Sequence, residues 1–244
     1  MTINSAGLVG IGTSSPAAPL SIEGSSTGEY DALILRNSNA AASGQSAAMI
    51  FEVSGGTSGD AASSVAKISG FRTGSGSTGD LLFHTTNAGV SAERMRIDSS
   101  GRVTMPYQPA FSAIPAAKQS NIAINTVVTV VFGTERFDVG ANFASNTFTA
   151  PVTGKYSLHA HLRLENIDTS AAYYMLRITT SNEEYQSLFT STQFAADVVY
   201  WPIAMNCLVD MDASDTAVVT IYQSAGTSQT DIDTESYFNG ILVA

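Results

Sequence analysis

Two short acidic runs are the first places where this sequence could do chemistry. Asp210, Asp212 and Asp215 fall in "DMDASD", and Asp231, Asp233 and Glu235 stand at every second position of "TDIDTE". Oxygen-rich loops suit calcium, which takes about six to eight oxygen ligands. Neither run carries the central Gly and distant Glu of an EF-hand loop. A solvated acidic turn is therefore the default, with Asp210, Asp212, Asp215, Asp231 and Asp233 as the calcium candidates. No other cofactor is expected. His159 and His161 lie two apart, so on a strand they point the same way. In a trimer they could ring an axis and hold a metal. No Asp, Glu or Cys neighbours them at ligand spacing, which favours plain packing. The pair Glu183 and Glu184 reads as a solvated loop.

The opening "GLVGIGTSSP" (7–16) has the glycines and hydroxyls of a phosphate cradle. A Walker loop needs a Lys after its last Gly, and a dinucleotide fingerprint needs a helix there. No Lys occurs before Lys67, and Pro16 and Pro19 block a helix. The plain reading is a glycine-lined turn where three chains or a partner backbone approach closely. Cys207, the single cysteine, sits in the apolar run "YWPIAMNCLV" with no His or cation beside it, so it reads as a small buried hydrophobe. No G-x-S-x-G elbow occurs. A hydrolase is not expected, and neither is any other enzyme.

Aromatic residues are dense across 173–201: Tyr173, Tyr174, Tyr185, Phe189, Phe194, Tyr200 and Trp201. Rings on loops can stack on sugar faces or anchor a protein partner. The segment "TSNEEYQSLFTSTQFAA" (180–196) reads as an exposed loop, which makes Tyr185, Phe189 and Phe194 the receptor-binding candidates.

The elements that must carry these residues read as strands. Only 13% of residues are charged while 44% are hydrophobic, with Gly, Ser, Thr, Ala and Asn filling the gap. That composition suits short strands and tight turns. Residues 1–106 hold eight acids and six bases; residues 107–244 hold thirteen acids and five bases. So acidic a surface repels nucleic acid and anionic lipid. No 18-residue apolar run predicts a membrane span, and the N-terminus lacks the pattern of a signal peptide.

Before residue 106 the apolar bursts are brief: "LILRN" (33–37), "AMIFEV" (48–53), "VAKISGF" (65–71), "DLLFHTT" (80–86) and "ERMRID" (93–98). The spacers 55–64 and 73–80 read as turns or loops. The stretch 93–105 predicts a hairpin turning at Ser99-Ser100-Gly101, with Met95 and Ile97 inward and Arg94, Arg96 and Asp98 outward. Such strands bury little within one chain, and several chains wound about one axis could share a narrow core. Past "MPYQPAF" (105–111) the strands lengthen. "NTVVTVVFG" (125–133) suits a buried strand. "GKYSLHAHLRLEN" (154–166) alternates throughout, placing Tyr156, Leu158, Ala160, Leu162 and Leu164 on one face. About eight strands across 111–244 fit a jelly roll or another sandwich.

The second half resembles the globular head shared by complement component one subcomponent q and the tumour necrosis factor superfamily. "PAFSA" (109–113) matches its opening. "FDVGANFASNTFTAPVTGKYSLHAHL" (137–162) carries Phe137-Asp138, Gly140, Phe143, Phe148, Ala150-Pro151, Gly154 and Tyr156. "LVDMDASDTAVVTIYQ" (208–223) matches a strand, acidic turn and strand, and "SYFNGILV" (236–243) matches the terminal strand. The resemblance implies an all-β ten-strand jelly roll that assembles as a tight homotrimer and binds ligands on exposed loops. Gly140 and Gly154 fall where turns favour positive φ. No collagen-like Gly-X-Y repeat occurs.

In the first half, "GLVGIGTSSPAAPLSIEG" (7–24) and "AERMRIDSSGRVTM" (92–105) are similar to paired pieces of bacteriophage tail-fibre proteins, here in reverse order. That resemblance implies a trimeric virion fibre. The expected organisation is a virion-attachment segment (1–24), a short-stranded, shaft-like β domain (25–106) and the jelly-roll head (107–244). Leu8, Val9 and Ile11 are the docking candidates toward another virion protein on the phage tail or capsid surface, and the head is expected to meet a host surface glycan or protein. The alternative is a capsid head fibre or decoration protein with the same trimer and no receptor role. The third reading is a different class, a cellular adhesin or a hydrolase, against which stand the missing signal-peptide pattern and the missing catalytic constellation.

Overall fold

The computed structural model describes residues 1–38, 43–53, 64–74 and 77–244. It divides into two compact units, Met1–Met105 and Pro106–Ala244. Of the spacers expected as turns or loops, 55–63 lies outside the described residues and Ser64 begins a strand; in 73–80 only 75–76 lie outside, and Gly79 and Asp80 already belong to a strand.

The first unit opens with three short strands, β1 (Thr2–Ile3), β2 (Val9–Ile11) and β3 (Leu20–Ile22). β2 lies antiparallel to β1 and parallel to β3. The glycines of "GLVGIGT" serve this small sheet. Gly7 and Gly12 hold φ of 79° and 80°, where a side chain is strained. A Cβ on Gly12 would stand 1.9 Å from the Glu23 carbonyl oxygen. The close backbone approach read from the sequence is therefore made within the chain.

A five-stranded antiparallel sheet follows, in the order β4 (Ser46–Glu52), β5 (Ser64–Arg72), β6 (Gly79–Asn87), β7 (Val90–Ile97) and β8 (Val103–Thr104). The β7–β8 turn is closed by Asp98, whose Oδ1 accepts from the Ser100 and Arg102 N–H groups at 2.9 and 3.0 Å. Gly101 sits there at φ 81°. The expected inward and outward faces of this hairpin do not form. Met95 and Ile97 are half-buried, and so are Arg94 and Arg96. The reason is that the sheet is a single layer. Among the described residues its only buried large apolar side chain is Leu82, at 4% exposure, while Met49, Ile50, Phe51, Val65, Leu81 and Val90 are exposed. Three consecutive exposed residues in β4 mean that neither face is covered. "LILRN" corrects a second expectation: residues 33–37 form no strand, and Leu33, Ile34 and Leu35 are exposed.

The second unit has two antiparallel sheets. Its strands are β9 (Ala110–Ile114), β10 (Val127–Thr129), β11 (Thr134–Val139), β12 (Phe143–Ala144), β13 (Thr147–Thr149), β14 (Gly154–Ile167), β15 (Tyr173–Thr180), β16 (Glu184–Phe189), β17 (Val198–Met211), β18 (Thr216–Ser224), β19 (Asp231–Ile232) and β20 (Tyr237–Leu242). One sheet runs β11–β9–β20–β14–β17, with β19 also on β14; the other runs β12–β13–β18–β15–β16, with β10 also on β18. β14, β15, β17 and β18 alternate between the sheets, with β16 a hairpin partner of β15, a connectivity that suits a jelly roll.

β14 explains why the sheets close on each other. Tyr156, Leu158, Ala160, Leu162 and Leu164 are fully buried on one face. Phe111 stacks on Phe143 and Phe148 at 5.0 and 4.7 Å and meets Phe238 edge-on at 5.0 Å. The Tyr156 hydroxyl donates to the Val152 carbonyl at 2.7 Å, so its buried polar end is satisfied. Two local expectations are corrected. The run 125–133 is not a continuous buried strand. Only Val127–Thr129 is strand, and Val130 and Phe132 are buried while Val127 and Val131 are exposed. Gly140 has φ 93°, but Gly154 is not among the positive-φ residues. Gly154 is needed for space, since a Cβ there would lie 2.6 Å from the Ala244 carbonyl oxygen and 2.7 Å from Leu242.

Candidate functional site

β16 pairs only with β15, and β17 only with β14. Each is the edge of its sheet, and their unpaired edges border the open side of the sandwich. Two hollows lie along this side. The larger, about 690 Å³, is lined by Thr153, Lys155, Thr180, Asn182, Glu183, Tyr185, Leu208, Val209, Asp210 and Asp212. Thr180 shapes its turn: its hydroxyl donates to the Glu183 carbonyl at 3.0 Å and accepts from the Glu183 N–H at 2.9 Å. The Tyr185 hydroxyl donates to Glu183 Oε2 at 2.7 Å. That bond, with burial second, pushes its pKa up to about 12. Lys155 pairs with Asp210 across the β14–β17 ladder. Asn182 Nδ2 donates to Asp215 Oδ2 at 2.8 Å and to the Asp210 carbonyl at 3.2 Å. Thr153 Oγ1 donates to Asp212 Oδ1 at 3.3 Å.

The smaller hollow, about 300 Å³, is lined by Leu188, Phe189, Thr190, Gln193, Phe194 and Trp201. Phe189 stacks on Tyr174 at 5.1 Å with 13° between planes, and Phe194 meets Trp201 edge-on at 4.7 Å. The exposed loop expected over 180–196 is corrected here. Glu184–Phe189 is strand, Ser191–Gln193 is a 3-10 turn, and Tyr185, Phe189 and Phe194 are half-buried against the core. The alternation of β16 turns Tyr185 and Phe189 inward, away from the role of free stacking platforms.

The acidic candidates do not converge. Asp210 is registered with Lys155 at one end of β14, and Asp231 with Glu165 at the other. Asp215 Oδ2 accepts from the Asp212 N–H at 2.8 Å, as in an acidic turn. Asp231 Oδ1 accepts from the Asn121 N–H at 2.7 Å. Asp233 pairs with Arg163 at 2.8 Å. Burial would raise the Asp233 pKa, but the Glu235 N–H and the Arg163 guanidinium overcome this and lower it. Among the described residues no three His, Cys, Asp or Glu side chains are grouped to hold a metal ion. The five aspartates proposed for calcium are thus split between two places, each already hydrogen-bonded.

The outer face of the β11–β9–β20–β14–β17 sheet is a second surface. His161 stacks on Tyr237 at 5.0 Å with 9° between planes, and His159 meets the same ring edge-on at 5.3 Å. His161 Nδ1 and Asn239 Oδ1 are buried and make no hydrogen bond. Burial, then the nearby His159 and Arg163, lowers the His161 pKa. Phe137, Tyr200, Leu208 and Ile241 are exposed. The two histidines do point the same way, but they flank a tyrosine rather than a ligand set.

Of the docking candidates, Val9 and Ile11 lie in β2 and Leu8 precedes it; Leu8 and Val9 are half-buried and Ile11 is exposed. Cys207 is half-buried against the core, and burial pushes its thiol up to about 11, so it is not a poised nucleophile. Sequence reasoning had not singled out Lys155, Asn182 or Leu208. The partner strand that brings Asp210 to Lys155 carries no local signal.

No family model matches the chain, and no curated protein matches it. Among solved structures, the globular domain of zebrafish complement 1qA protein is similar at 18% identity, covering 56% of this chain and 98% of that one, with a TM-score of 0.42. Murine APRIL at pH 8.5 is similar at 8% identity, covering 56% and 99%, with a TM-score of 0.42. Murine APRIL at pH 8.0 is similar at 11% identity, covering 56% and 99%, with a TM-score of 0.41. The jelly roll of the second unit rests on its own strand order.

Proposed function

We propose that this chain is a non-enzymatic structural and binding protein of a tailed bacteriophage, assembled as a homotrimeric fibre. Its N-terminal strands attach it to the virion, and its jelly roll meets a glycan or protein on the host surface. The observation that carries the self-assembly reading is the uncovered sheet of the first unit. A lone layer with apolar side chains on both faces lacks the second layer that domains require. Burying a Phe, Ile or Met contributes about 1.5–3 kcal/mol each, so copies of the chain that cover Met49, Ile50 and Phe51 gain substantially. The outer face of the jelly roll supports the same reading, because its exposed rings and the unpaired His161 Nδ1 and Asn239 Oδ1 favour a partner. The phage setting rests on "GLVGIGTSSP" and "RMRIDSSG". Size-exclusion chromatography with light scattering at micromolar concentration tests the assembly. A mass of three chains is expected; a monomer refutes it. Locating a labelled N-terminus on particles tests the attachment.

A further inference from the structure

We infer that the hollow at the Tyr185 end of the open edge binds a neutral, hydroxyl-rich sugar ring. The inference rests on the host-contact part of the proposed function and names the ligand class. At about 690 Å³ the hollow falls within the usual range of small-ligand sites. Its charges decide the class. Glu183, Asp210 and Asp212 bring three carboxylates, and Lys155, already paired with Asp210, brings the one cation of the lining. A second carboxylate, a sulfate or a phosphate entering here would meet uncompensated like charge. The lining instead offers hydrogen-bond capacity of both kinds. Each carboxylate has about four acceptor positions, and donors from the chain fill only some of them. Lys155, which has three N–H donors and pairs with one carboxylate, supplies the donors. A hydroxyl donates and accepts at once, so neighbouring sugar hydroxyls match such a mixed lining, whereas an ammonium group only donates and offers the Lys155 donors no acceptor. Leu208, 63% exposed, gives an apolar contact at the rim for the C–H face of a pyranose.

The test titrates the full chain by saturation-transfer NMR and calorimetry. The neutral probes are methyl glycosides of glucose, galactose, mannose and N-acetylglucosamine. The comparators are N-acetylneuraminic acid, glucuronic acid and lysine methyl ester, and whole-cell binding by the same protein runs in parallel. The expected result is binding of at least one neutral glycoside at roughly millimolar strength, with the acidic sugars and the amine at least about tenfold weaker. Asp212→Asn and Leu208→Ser, both exposed positions, should each weaken that binding about tenfold, as expected for losing a charge-assisted bond or an apolar contact. A preference for the acidic sugars or the amine, or affinity unchanged in both variants, overturns the inference. Host cells bound with no neutral glycoside bound overturns it while leaving the host-contact reading standing. No binding to cells or to glycosides overturns both.

Discussion

Replacing Asp168 by Asn should cost the second unit about 2 kcal/mol at neutral pH, and nearly all of that cost should vanish in acid. Asp168 is 3% exposed and lies just after β14. Its Oδ1 accepts from the Ser170 N–H and hydroxyl at 2.8 and 2.5 Å. Its Oδ2 accepts from the Thr227 and Ser228 N–H groups at 2.5 and 2.7 Å. Burial alone would raise its pKa, but these bonds overcome burial and hold it at about 2, against an ordinary 3.8. Each unit of that difference corresponds to about 1.4 kcal/mol, which gives roughly 2 kcal/mol. The folded pKa is depressed, so the unfolded chain takes up the proton first. The contribution is complete above about pH 4 and disappears as pH falls toward 2. Urea unfolding of both proteins at fixed concentration, at pH 7 and at pH 2.5, measures the difference. A gap of about 2 kcal/mol at pH 7 that narrows strongly at pH 2.5 is expected. An equal gap at both values refutes the carboxylate clasp and assigns the effect to packing.

Gly226→Ala attacks the same clasp from the backbone. Gly226 holds φ 106°, and a Cβ would stand 2.6 Å from Asp168 Oδ2, so a loss of at least about 1 kcal/mol is expected in the same urea assay. Leu162→Ala removes a fully buried side chain from the middle of β14 and should cost about 2–5 kcal/mol, read as a lower urea midpoint with unchanged slope. The lowered His161 pKa means that stability is complete above pH 6.5 and declines as pH falls below it. His161→Phe, which keeps a ring on Tyr237, should flatten that decline between pH 7.5 and 5.5 by thermal melting. Met49→Ser with Phe51→Ser should weaken self-association in light scattering without changing the unfolding of the second unit.

What the sequence discloses depends on whether one chain supplies both sides of a contact. The alternation of 154–166 is readable because every inward residue of β14 meets a core made by the same chain. Phe143, Phe148, Tyr156 and Phe238 are legible for the same reason. In the first unit the periodicity of "ERMRID" is equally clear, yet no covering layer stands behind it, so it marks faces that the single chain leaves open. Part of the candidate site was legible as single residues, but none of it as a place. Tyr185 was noted for receptor contact, and Asp210 and Asp212 for calcium. They share one hollow because β16 and β17 end two different sheets, a long-range pairing without local spacing. Tyr185 looked like a loop residue because Asn182, Glu183 and Glu184 precede it, and the six-residue strand that holds it is too short to declare its period against that polar turn.

The place of β20 constrains how the second unit can be made. The last strand in the chain is not at an edge: it lies between β9 and β14, pairing Gly240 with Phe111 on one side and with Leu158 on the other. Phe238 also completes the aromatic centre. During synthesis the sheet therefore stays divided, with β9 and β11 apart from β14 and β17, until Tyr237–Leu242 clears the ribosome. A product truncated before Tyr237 lacks the middle of its sheet and leaves two strand edges open to solvent.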